Sequence, residues 1–137
     1  LNMQLAHMMD VAASSKQAHW NLKGPNFQGL HELFDLVADE ARTYADMIAE
    51  RAVQVGGFAH GSLHVAAERT SFRPFPLELT DWRALTGELH ERVLGSATCL
   101  RQSADEMDSE KATQDMYIEI IRGLEKRAWM LRAHLED

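Results

Sequence analysis

One cysteine, three prolines and a shortage of bases say first what this chain is not. Cys99 has no partner for a disulfide, so the fold must rest on its core, and cysteine usage of this kind fits a reducing interior. In its helical context Cys99 reads as a small core residue rather than a redox centre. With 21 acids against 14 bases, the formal net charge is −7. A field of that sign repels phosphate and draws cations, which argues against the bare chain as a nucleic-acid binder. No apolar run approaches the roughly 18 residues needed to cross a membrane, and no signal-peptide pattern opens the chain. Strand signals, repeats, linkers and low-complexity tracts are missing too. The first residue is Leu1 rather than Met, so a missing N-terminal segment is expected.

What remains is helical. At 137 residues with 45 % apolar composition, the expectation is one domain over residues 1–137. Residues 1–22 carry Leu5, Met8, Met9, Ala12, Ala13, Lys16, His19 and Trp20 at three- and four-residue steps, which predicts a helix. Gly24-Pro25 breaks it. A second helix is expected from about Phe27 to Val55, with Leu30, Leu33, Phe34, Val37, Ala41, Tyr44, Ala45, Ile48 and Ala52 as its core stripe. Gly56-Gly57 ends it. The stretch from Phe58 to Leu77 is connector, with a short helix around Leu63–Arg69 and a Pro74-Phe75-Pro76 break. A third long helix is expected over Glu78–Glu106, bearing Trp82, Leu85, Leu89, Val93 and Leu100 on one side with Met107 just beyond. The polar run Asp105–Glu110 separates it from a last helix with Met116, Tyr117, Ile120, Ile121, Leu124, Ala128, Leu131 and Leu135. Four long helices with a long crossover predict an all-α four-helix bundle, with one short extra helix between helices 2 and 3.

Placed on a helix at about 100° per residue, Asp35, Asp46 and Glu50 fall about 40°, 60° and 100° from His31. All four share a stripe bordering the Leu33/Phe34/Val37/Ile48 side, so it sits at a boundary rather than on an open acidic face. Histidine with several carboxylates is a donor set that divalent iron or zinc accepts. His31 and Glu50 are nevertheless roughly 28 Å apart along a rigid helix, too far to share one ion. A site using all of them needs a second, antiparallel copy, which brings His31 and Asp35 opposite the mate's Asp46 and Glu50 and creates two equivalent sites. The Gly-Pro turn folds His19 back beside His31 as a third ligand. Lys16 and Trp20 then form a wall, one supplying a cation near the carboxylates and the other an indole N–H that shields the site.

The series Lys16-x-x-His19-Trp20-Asn21-x-x-Gly24-Pro25-x-Phe27-x-x-Leu30-His31-x-x-Phe34-Asp35, then Asp46-x-x-Ala49-Glu50-Arg51 and Gly56-Gly57, resembles the Dps family, the miniferritins of the ferritin superfamily. The likeness continues through Thr113-x-Asp115 and Leu124-Glu125-Lys126-x-x-Trp129-Met130-Leu131. It implies a ferritin-like bundle assembled as a hollow shell of twelve subunits. His19, His31 and Asp35 of one subunit would bind iron, as a mono- or di-iron site, with Asp46 and Glu50 of the next. It also implies oxidation of Fe(II), usually by hydrogen peroxide, storage of ferric oxide and a cytoplasmic setting. Asp115 matches the acids lining the iron-entry pores, and Glu119, one turn on, joins it. Lys111 stands where some members are acidic. The Lys-rich tail through which some members bind DNA, and so associate with the nucleoid, is not in the chain; a DNA-compacting role through it is the alternative function.

Three rivals are weaker. His31-Glu32-Leu33-Phe34-Asp35 approaches the zinc-protease pattern His-Glu-x-x-His but ends in Asp, without a nearby replacement ligand. A self-contained di-iron bundle uses Glu-x-x-His, and no Glu here has a His three residues on. His60 and His64, four apart in the connector, with His7 or His90 elsewhere, are weak candidates for an accessory metal site and read more simply as exposed or capping residues.

Overall fold

The computed structural model describes residues 1–136. Its helices are α1 (Asn2–Asn21), α2 (Phe27–Gln54), α3 (Leu63–Arg69), α4 (Trp82–Asp105) and α5 (Lys111–Leu135). No strand forms among the described residues, and no helix there is long and apolar enough to cross a membrane. The four long helices make a ferritin-like bundle. α1 and α2 form one antiparallel hairpin, α4 and α5 another, and the connector carrying α3 crosses over α1. Gln4 at the start of α1 meets Ser103 at the end of α4, so these two helices also run antiparallel.

The stripe of α2 packs as its periodicity requires. Leu30, Phe34 and Ile48 are fully buried and join Met8, Leu85, Leu89, Leu100, Ile120 and Leu131 in one core. Each side chain of this size contributes about 1.5–3 kcal/mol by leaving water. Where α2 approaches α5, Gly123 makes room: a Cβ there would lie 1.8 Å from the Tyr44 hydroxyl. Nearby, the Arg127 guanidinium grips both carboxylate oxygens of Glu40, at 2.6 and 2.9 Å. Arg51, near the end of α2, reaches Thr113 and Glu110 at the start of α5.

Two expectations need correcting. The third long helix starts at Trp82, not Glu78, because the Asp81 carboxylate caps it by accepting the Ala84 N–H at 2.9 Å. Just before it, the Thr80 carbonyl accepts the Lys23 N–H at 2.8 Å, which holds this segment extended against the α1–α2 turn. On α1, Ala13 and Trp20 of the anticipated stripe are exposed, while Gln4, His7, Ser14 and Ser15 are buried. Packed against α2, α3 and α4, this helix buries polar residues as well as apolar ones.

That polar burial is organised around the connector. Ser71 donates its backbone N–H to His7 Nε2 at 3.4 Å, with its hydroxyl at 2.8 Å, so the ring proton sits on Nδ1. Nδ1 is buried with no partner among the described residues. Burial therefore pushes the His7 pKa below its ordinary 6.5, against a smaller opposing pull from Asp10. In the window below pH 6.5 the unfolded chain binds more protons than the folded one, so stability falls as pH drops towards the folded-state pKa. The loss has a limiting slope of about 1.4 kcal/mol per pH unit for one proton. A His7→Gln variant, which keeps an acceptor for Ser71, should flatten that acid limb; denaturant melts between pH 7 and 5 measure it, and an unchanged slope refutes the assignment.

Candidate metal centre

The turn between α1 and α2 sets the site. Leu22 leaves α1 in an extended conformation and is buried, Gly24 takes φ 116° and Asn26 φ 67°. Gly24 also abuts Trp82, whose Cδ1 would lie 2.8 Å from any added Cβ. A side chain at position 24 is thus opposed by conformation and by contact. The result brings the end of α1 beside the start of α2.

There His19 and His31 clasp each other. His19 Nδ1 lies 2.6 Å from the His31 carbonyl oxygen, and His31 Nδ1 lies 2.9 Å from the His19 carbonyl oxygen. A carbonyl only accepts, so each Nδ1 must carry a proton and donate it. In the neutral rings this leaves a lone pair on both Nε2 atoms, the state in which imidazole binds a metal. The rings stack with centroids 3.6 Å apart at 14°, and Phe27 extends the stack on His31 at 5.0 Å. One turn along α2, Asp35 Oδ1 accepts from Lys16 Nζ at 2.5 Å. That hydrogen bond, aided by the charges of Lys16, His19 and Arg42 against a desolvation cost, holds the Asp35 pKa below its ordinary 3.8.

His19, His31, Asp35 and Lys16 thus gather at one end of α2. Asp46 and Glu50 lie further along it, on its exposed side. Among the described residues, no group of three or more His, Cys, Asp or Glu side chains is placed to hold a metal within this one chain. Trp20, expected as a wall of the site, is 65 % exposed in the single chain. Asp115 and Glu119 lie exposed on α5, with Lys111 at its first position. His60 and His64 are exposed, and the His60 backbone N–H donates to Asn2 Oδ1. Two features escaped the sequence reading: the Phe27 contact, for which the i, i+4 spacing with His31 was an available signal, and the carbonyl clasp, for which there was none, since backbone acceptors leave no mark on residue type.

Fold and site together define a ferritin-like protein, and a ferritin-like domain model matches residues 1–137. More narrowly, the chain belongs to the Dps family. It is 37 % identical to the DNA protection during starvation protein of Agrobacterium fabrum, across all of this chain and 86 % of that protein. The protein of the same name from Brevibacillus brevis is 36 % identical over 99 % of this chain and 92 % of its own length. The solved structure of Dps from Microbacterium arborescens in its high iron form superposes with a TM-score of 0.91 at 34 % identity, covering 98 % of this chain and 90 % of that one.

Lys16→Met tests the local electrostatics. Without the ammonium, the Asp35 pKa should rise back towards 3.8, as followed by carboxyl NMR titration. A titration that stays put contradicts the Lys16–Asp35 pairing.

Proposed function

We propose that this protein is a ferroxidase and iron-storing miniferritin, a homo-oligomeric shell of twelve copies that works in the cytoplasm and limits oxidative damage. The observation that carries this reading is the His19–His31 clasp beside Asp35, which leaves two imidazole lone pairs next to an ionised carboxylate. His19, His31 and Asp35 serve as ligands from one subunit, and Asp46 and Glu50 complete the site from its mate. Lys16 and Trp20 support it from the second rank. Fe(II), drawn by the net charge of −7, enters through pores lined by Asp115 and Glu119.

Iron and peroxide are the substrates, and the balance is simple. Two Fe(II) ions each give one electron to the O–O bond of hydrogen peroxide; with two protons the oxygens leave as two waters, and two Fe(III) ions remain. Anionic oxygen donors favour the ferric state more than the ferrous, because the higher charge gains more from them. Delivering two electrons from paired iron ions avoids the hydroxyl radical that one-electron cleavage produces. The Fe(III) then hydrolyses and is stored as oxide.

The relatives are named for DNA protection. In a chain of net charge −7, removing iron and peroxide provides such protection without contact with DNA. Compaction of the nucleoid would rest on a tail ahead of Leu1, and a gel shift on a chain carrying that tail decides it. The double variant His31→Ala/Asp35→Ala should assemble normally yet lose peroxide-dependent Fe(II) oxidation by about 100-fold or more, since losing even an outer-shell partner of a metal costs about 10–100-fold. Stopped-flow absorbance measures this, and a wild-type rate would remove the assignment.

A further inference from the structure

A concavity lined by none of the proposed metal ligands lies between α1, α3, the connector and α4. It encloses about 370 Å3, within the range of small-molecule sites. Met9, Leu63, Ala66, Ala67, Phe72 and Phe75 give it apolar walls. Three charged side chains line it, Asp10, Arg73 and Arg92; Arg92 is only 4 % exposed, whereas the Arg73 side chain is 70 % exposed and paired with Glu88 at 2.7 Å.

The polar end is internally arranged. Asp10 accepts from Ser14 at 2.9 Å, from Thr70 at 2.6 Å and from Arg92 Nη1. Arg92 Nη2 donates to the Arg73 carbonyl at 2.7 Å. The guanidinium packs against the Phe72 and Phe75 rings at 5.2 and 5.3 Å. Two bonds therefore tie down a group that carries five N–H donors, in a cavity whose remaining surface is almost wholly apolar. A ligand anion would lie beside the Asp10 carboxylate, and a ligand cation against the guanidinium, each at a desolvation cost. A neutral acceptor meets neither penalty.

We propose that this cavity binds a small neutral carbonyl compound with an apolar body, its oxygen on Arg92 and its ring or short chain between Phe72, Phe75 and Met9. The site is independent of iron chemistry. The Ser71–His7 and Thr70–Asp10 bonds hold the connector wall in place.

The test uses the intact assembled protein and propiophenone as probe, followed by calorimetry and ligand-observed NMR. Saturable binding of one propiophenone per chain is expected. Propylbenzene, which lacks the oxygen, should bind about tenfold more weakly or worse, since a hydrogen bond to a charged donor exceeds that factor; benzoate, which sets a second carboxylate beside Asp10, should also bind more weakly than propiophenone. Ala67→Phe, at an exposed position on α3, should fill the mouth and abolish binding while iron oxidation stays at the wild-type rate. Ala13→Leu narrows the cavity from α1 and serves as the second variant if the first alters the melting temperature. Failure of propiophenone to saturate the assembly, as when a neighbouring copy already fills the cavity, overturns the proposal. So does equal affinity for propylbenzene, or binding that survives both substitutions.

Discussion

A helix cannot bring its own ends together. α2 is one unbroken helix of 28 residues, and that stiffness governs the rest of the molecule's chemistry. Its histidine end and its Asp46/Glu50 end are separated by several turns, so neither set of side chains can supplement the other within the chain. The proposed function therefore turns on association. An isologous contact between two such helices running in opposite directions pairs unlike ends twice over, and each half-site contributes donors the other lacks.

The histidine half of the proposed centre is prepared within the single chain. The α1–α2 turn, with Gly24 packed on Trp82, places His19 beside His31, and mutual donation to main-chain carbonyls selects one tautomer for both rings. Lys16, by hydrogen-bonding Asp35, lowers its pKa below the ordinary carboxylate value. Such preparation reduces what binding must spend on ordering ligands. The clasp is built from backbone atoms at the junction of two helices, so substitutions in the turn reach the site although none of its residues is a proposed ligand.

Legibility differed between helices for a physical reason. α2 has a wide apolar stripe, and its buried set was readable because apolar character and burial coincide there. α1 departs from that rule: Gln4, His7, Ser14 and Ser15 are buried, and Ala13 and Trp20 lie outside. Contacts on several sides, with hydrogen bonds to the connector and α4, override a hydrophobicity pattern. The start of α4 was misplaced because the capping role of Asp81 is decided by its bond to Ala84. Of the candidate site, the approach of His19 to His31 across the Gly-Pro turn and of Lys16 to the acidic stripe was legible from spacing. The tautomers and the Lys16–Asp35 bond became definite only when two helix ends were set side by side.

Subunit mixing tests the intersubunit site most directly. One parent carries His31→Ala/Asp35→Ala and the other Asp46→Ala/Glu50→Ala, each inactive alone. Co-assembled in equal amounts, half of the random pairs are mixed and each mixed pair holds one intact site of two, so about a quarter of the wild-type oxidation rate should return. If the mixed assembly oxidises Fe(II) no faster than its two parents, the ligands do not meet across subunits, and the proposed centre is wrong.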